Sequence, residues 1–270
     1  MIKKLPWHTK AILALVAFMP FYFGIAALGT KIGLWGWQTG LLALTMGGGV
    51  ILLGLVSLAA LVSLVLGVRA VPRSNGVLAI AIIGLLIPAA VFVLFLAAGS
   101  KAADNPIHDI ATDTADPPAF SEATMRARAE SGANPLSDYQ TPLGRLEVFK
   151  DVDPELAVKS HAQIITDRPD RPAPLPLGGA TREDGVRAVA AAMAEMGLRD
   201  IRSDFAAGTV EGVAETFWFG FKDDVVARVG DAEIDFRSVS RVGRSDLGAN
   251  TARIIKLREL TAAQLGKASR

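Results

Sequence analysis

Cysteine is absent from the 270-residue chain. That excludes disulfides, thiolate nucleophiles and every metal site that needs a Cys ligand. An oxidising compartment would find nothing to cross-link, which is compatible with a location outside the cytoplasm. A second absence is sharper. Residues 1–100 contain no Asp or Glu and only six basic residues, Lys3, Lys4, Lys10, Lys31, Arg69 and Arg73. All 27 acidic residues fall after residue 100 beside 22 basic ones, so that portion carries −5 and the total of +1 hides a division. An acidic domain has no electrostatic attraction for nucleic acid or for an anionic lipid surface, so no nucleic-acid partner is expected.

What the first hundred residues do contain is uncharged apolar sequence. "AILALVAFMPFYFGIAALG" covers 11–29, "LLALTMGGGVILLGLVSLAALVSLVLG" covers 41–67, and "VLAIAIIGLLIPAAVFVLFLAAG" covers 77–99. Each is long enough to cross a hydrocarbon core of about 30 Å. Residues 1–100 therefore read as a three-helix transmembrane region, with the lipid bilayer as its first partner. Lys3, Lys4, Lys10, Arg69 and Arg73 fall on one side of such an arrangement and Lys31 and Lys101 on the other. By the positive-inside rule the N-terminus is cytoplasmic and residues 101–270 form an extracytoplasmic soluble domain. Trp7, Trp35 and Trp37 sit where interface anchors belong. The first run also fits a signal sequence, cleaved or not. Its removal would leave two spans and the same final location.

The spans lack the Asp, Glu, His or Arg that ion-coupled transport places in the bilayer, which argues against a transporter acting alone. Their polar content is Tyr22, Thr45, Ser57 and Ser63, and Pro20 and Pro88 are expected to kink the first and third. The glycines at 47–49, and Ala59, Ser63 and Gly67 at four-residue spacing, give small surfaces for close packing. They serve either the three helices themselves or a homo-oligomer or membrane-protein partner.

After Lys101 the sequence turns polar and turn-rich. Glu122 to Glu130 is long enough for a short helix, and "DRPDRPAPLPLGG" (167–179) is expected to run extended, as a surface strap or as a linker. The compact part is read as 181–266. Thr181 and Asp184 form a capping box, Val186, Val189, Ala190, Met193 and Met196 recur at helical spacing, and Gly197 stops the run. Strand-like segments follow at 199–205, 209–221, 224–229 and 232–242, with hairpin turns at Ala207–Gly208 and Gly230–Asp231. A closing helix is expected from Ser245, with Leu247, Ile254, Leu257, Thr261 and Leu265 on one face. The order predicts an α+β fold in which helices pack against one antiparallel sheet.

Within it, "DFRSVSRVGRSDLGAN" (235–250) is the candidate site. Strand alternation puts Ile234, Phe236, Ser238 and Ser240 on a core face, and Asp235, Arg237, Val239 and Arg241 on a charged stripe. Arg237, Arg241 and Arg244 beside Ser245, Asn250 and a helix start would suit an anion or other ligand. The alternative is a strand-to-helix joint, in which Ser245 or Asp246 caps the helix and Asp235 and Asp246 neutralise Arg237 and Arg241.

Three other chemistries compete with these. His108, Asp109 and Asp113 make a weak oxygen-rich cation candidate, although adjacent His108 and Asp109 point apart on any regular element. A hydrolase would use His108, Asp109 and a serine, Ser238, Ser240 or Ser245, yet no G-x-S-x-G turn is present. "LGGATRED" lacks both phosphate-binding fingerprints, so no cofactor is expected. Phe217, Trp218, Phe219 and Phe221 on one strand imply either burial on two sides or an apolar groove.

Three segments, "NPIHDIATDTADPPAF" (105–120), "WFGFKDDVVARV" (218–229) and "DFRSVSRVGRSDLGANTARI" (235–254), resemble the signature segments of domain-of-unknown-function family 1499. The resemblance covers roughly 104–265. It implies a bacterial envelope or chloroplast setting, here a multi-pass bacterial inner-membrane protein with a periplasmic domain, and it carries no established activity or catalytic residue. Two function classes stand. One is a non-enzymatic, membrane-anchored module that binds or scaffolds an anionic ligand or a protein partner. The other is the hydrolase.

Overall fold

A computed structural model describes residues 5–268. Lys3 and Lys4, two of the cations counted for topology, lie outside the described residues. The chain divides into two units, residues 1–100 together with Phe217–Gly220, and residues 101–216 together with 221–270.

The first unit holds three helices long and apolar enough to cross a membrane. Helix α1 spans Trp7–Lys31. A π-helical stretch, Gln38–Gly48, leads into α2, Gly49–Arg69, and α3 spans Asn75–Asp104. Met19, Leu52, Leu53 and Val56 form one buried cluster, and Ile12, Ala60 and Ala81 form another. The small residues sit at these contacts. Gly84 lies against Ile12 and Ala60, Gly67 against Val77 and Leu78, and Gly49 against Phe23. Ser63 is buried and hydrogen-bonded to His8 Nδ1 at 2.7 Å. Large apolar side chains such as Ile51, Leu86 and Leu94 stay exposed, an arrangement compatible with a membrane protein. The Phe217 carbonyl, also in this unit, accepts a hydrogen bond from Lys31 Nζ at 2.8 Å.

The second unit is the expected α+β fold. Its elements are β1 (Asp109–Ala111), α4 (Glu122–Glu130), α5 (Pro154–Ala157), α6 (His161–Thr166), β2 (Leu175–Pro176), α7 (Arg182–Glu195), β3 (Arg199–Asp204), β4 (Thr209–Glu215), β5 (Lys222–Val229), β6 (Glu233–Ser240) and α8 (Ala249–Ala268). The six-stranded antiparallel sheet runs β1-β6-β5-β4-β3, and β2 pairs with β6 as well. β1 lies along the C-terminal half of β6, with Asp109 opposite Val239, and β2 along its start, with Leu175 opposite Ile234. Thus the segment 104–179 is built into the sheet, and the proline strap contributes a strand.

Local chemistry explains the elements. Ser121 caps α4, and both halves of the Thr181–Asp184 capping box form at α7. Gly197, at φ +74°, ends the turn after α7 in a conformation that costs other residues steric strain. Helices α7 and α8 cover one face of the sheet. Val186, Val189, Met193, Ile254 and Leu257 pack there on Val225, Ala227, Val229, Ile234 and Phe236. The aromatic run departs from expectation. β4 ends at Glu215, and the hairpin closes where Thr216 N–H bonds to the Phe221 carbonyl, so 217–220 form a loop. Phe217 and Trp218 are 72% and 56% exposed, rather than buried on two sides.

Candidate functional site

β6 carries the stretch of interest and is buried on both faces. Ile234 and Phe236 at alternate positions fit a pleated core strand, and the polar residues of β6 find partners. On the α8 face, Ser238 Oγ donates to Asn250 Oδ1 at 2.6 Å. Asn250 Nδ2 donates to the His108 carbonyl at 2.9 Å and to Ser240 Oγ at 3.0 Å. Arg253 reaches the same Asn250 oxygen, and its Nη2 pairs with Asp223 at 2.7 Å. Asn250 is fully buried with every polar atom of its amide bonded, and it ties β1, β6 and α8 together.

The opposite face is the charged stripe, and segment 112–134 covers it. Arg237 Nε and Nη2 donate to the two oxygens of Asp109 at 3.0 and 2.7 Å, and Nη1 donates to the Pro118 carbonyl. Tyr139 Oη donates to Asp109 as well. Arg241 grips both oxygens of Asp224, at 2.9 and 2.6 Å, and Arg128 Nη1 adds a third bond to the same carboxylate at 2.6 Å. Glu211 accepts from the Ser121 amide and hydroxyl, from Thr124 Oγ1 and from Arg202. Bidentate arginine–carboxylate pairs of this kind are the strong, geometrically specific ones. The partners differ from those the sequence suggested. Asp109 and Asp224 neutralise Arg237 and Arg241, whereas Asp235 pairs with Arg228 and accepts from Thr112.

Burial pushes the Asp109 carboxyl up, but Arg237 and Tyr139 outweigh it and hold the group below the ordinary carboxylate range. Burial also acts against the Arg237 charge, and Asp109 more than compensates, so the guanidinium is held on. Tyr139 is pushed far up by burial and by the Asp109 charge. None of these groups is poised to exchange a proton near neutrality.

Past β6 the chain turns at Gly243, with φ +84°, and at Leu247 and Gly248, with φ +56° and +78°. Arg244 is exposed and forms no ion pair among the described residues. α8 starts at Ala249, later than Ser245. Ser245 Oγ accepts from the Leu247 amide, and the Asp246 carboxylate takes the Gly248 and Asn250 amides at 2.7 and 2.9 Å. Asp246 therefore does the capping. Burial raises its pKa.

His108 and Asp109 do point apart. The His108 ring stacks on Phe149 at 5.6 Å between centroids, and His161 stacks on Tyr139 at 5.6 Å and lies 6.4 Å from His108. No nitrogen of either ring has a hydrogen-bond partner, so neither contacts Ser238, Ser240 or Ser245. Asp113 caps the Ala115 and Asp116 amides and receives Arg228. Among the described residues no three His, Cys, Asp or Glu side chains converge to hold a metal ion. The sequence reading missed Asp224, Arg128, Tyr139 and His161. Asp224 had a signal, since an acid on the neighbouring strand answers the arginines of β6. Arg128, Tyr139 and His161 had none, because long-range packing brings them in.

The family model described as "Protein of unknown function (DUF1499)" matches residues 109–260, more than half of the chain. The match begins at the first residue of β1 and ends inside α8, so it takes in the whole sheet and both networks on β6. No curated protein and no solved structure matches the chain.

Proposed function

The chain belongs to the DUF1499 family, and from that premise we propose that it is a multi-pass bacterial inner-membrane protein whose periplasmic domain is a non-enzymatic binding or scaffolding module. The observation that carries the non-enzymatic part is the use of the candidate carboxylates and serines within the fold. Asp109, Asp224, Glu211, Ser238, Ser240 and Asn250 are each bonded to another part of the domain. No serine meets a histidine, so the hydrolase reading lacks the nucleophile–base contact it needs. The exposed Arg244 is what remains of the arginine stretch for an outside anion or an acidic partner surface.

Binding is tested on the full chain in detergent, by thermal unfolding against a panel of anions that includes inorganic phosphate. A ligand that binds only the folded state raises the midpoint by mass action. The expected result is a shift in the wild type that Arg244→Ala abolishes. No shift with any anion would leave a protein partner as the only form of the proposal.

Topology has its own test, and the lack of native cysteine makes it clean. Ser74→Cys sits between α2 and α3, and Glu130→Cys sits on an exposed part of the second unit. A membrane-impermeant maleimide applied to spheroplasts should label Glu130→Cys strongly and Ser74→Cys only after lysis. The reverse pattern would place the domain in the cytoplasm.

A further inference from the structure

The loop that closes the β4–β5 hairpin is uncharged and aromatic, "TFWFGF" from Thr216 to Phe221. Its turn is fixed by the Thr216–Phe221 backbone bond, by a second bond from the Phe221 amide to Thr216 Oγ1 at 2.9 Å, and by Gly220 at φ +67°. Phe217 and Trp218 meet edge to face at 5.1 Å and stay largely exposed. Two large rings held at this turn leave considerable apolar surface exposed.

Sheet register says where that loop points. Asp109, the first residue of β1, pairs with Val239, and Val239 pairs with Asp224 near the start of β5. The start of β1 and the aromatic loop therefore share one end of the sheet. Residues 217–220 belong to the same unit as the three apolar helices. The opposite end carries the β3–β4 turn with Phe205. The cation at the loop is Lys31 of the same unit, whose Nζ lies over the Phe217 ring, 5.1 Å from its centroid, and donates to the Phe217 carbonyl.

We infer that Phe217 and Trp218 seat in the interfacial layer of the bilayer, beside Lys31 at the end of α1. This rests on the proposed membrane location. Trp is at home at the membrane–water boundary, where the ring is apolar and its N–H remains solvated. Overall charge does not drive the contact, because the domain is acidic. The rings do, and Lys31 gives it local polarity.

The test uses the full chain in nanodiscs of phosphatidylcholine and phosphatidylglycerol, with single-cysteine variants carrying an environment-sensitive NBD dye. Trp218→Cys probes the loop, Phe205→Cys the opposite end of the sheet, and Leu94→Cys an exposed position on α3. The expected result is a dye at 218 that is quenched by nitroxide lipid and bleached by dithionite several-fold more slowly than the dye at 205, with 94 also lipid-quenched. A dye at 218 bleached as fast as that at 205, with 94 lipid-quenched, overturns the inference and leaves the membrane reading standing. Protection of 218 from both reagents would mean that protein covers the loop, which also overturns it. Loss of lipid quenching at 94 would overturn the membrane reading itself.

Discussion

Asp224→Ala is expected to remove most of the stability of the C-terminal domain. The Asp224 side chain is 1% exposed and holds two buried guanidinium groups, those of Arg241 and Arg128. Without it, two cations face a low-dielectric interior with no opposite charge. Breaking one buried pair in this way costs about 3–5 kcal/mol, against a total stability of about 5–15 kcal/mol for an ordinary domain. The loss comes from stranding charge more than from losing attraction. Replacing the whole triad, as Arg128→Met, Asp224→Leu and Arg241→Met together, should therefore be far milder than the single change. Urea midpoints of the three proteins decide the matter. A single variant that lost less than about 1 kcal/mol would show water reaching the arginines, as an exposed pair allows, and segment 112–134 would then be a loose cover.

The same network explains what could be read from the sequence. The α7 capping box, the Gly197 stop, the Gly230 hairpin and the alternation along β6 are all local, and each fixes its own piece of backbone. β1 is three residues long and exists because β6 offers it an edge. Nothing in "DIA" marks it. Arg237 had Asp235 two positions away, but Thr112 and Arg228 take that carboxylate. The partner came from 128 residues earlier in the chain. In the candidate site, the identities of the residues were legible and the directions of their bonds were not. Where a strand is buried on both faces, its charges are internal, and the alternation that marks a solvated stripe marks a neutralised one equally well. The aromatic run misled for a related reason. Its composition favours strand, but Gly220 and the Thr216–Phe221 bond turn it into a loop.

The buried histidines give the second large effect, which is a loss of stability in mild acid. His161 is fully buried against Tyr139 and Phe149, and burial brings its pKa from 6.5 down to about 4. Burial lowers His108 in the same direction. The groups facing the pair are Asp109, whose charge favours the proton on both rings, and Arg128 and Arg237, whose charges oppose it; Asp138, Asp223 and the nearby Arg244 carbonyl assist weakly. A folded-state pKa below the unfolded one means that the unfolded chain binds the proton first. Stability is then complete above pH 6.5 and is lost as pH falls toward 4. Each pH unit separating the folded and unfolded pKa values is worth about 1.4 kcal/mol, so His161 alone should cost about 3 kcal/mol across that window. Asp246, raised by burial, works in the opposite sense, and Asp109 is held below its ordinary 3.8, so its contribution goes only in stronger acid. No hydrogen bond is lost in His161→Leu, because neither ring nitrogen makes one. That variant should match the wild type in urea at pH 7 and be clearly more stable than it at pH 4.5. Equal acid sensitivity in the two proteins would move the cause to the carboxylates, and a wild type with no slope between pH 6.5 and 4.5 would mean that both rings take up protons in the folded domain as easily as in water.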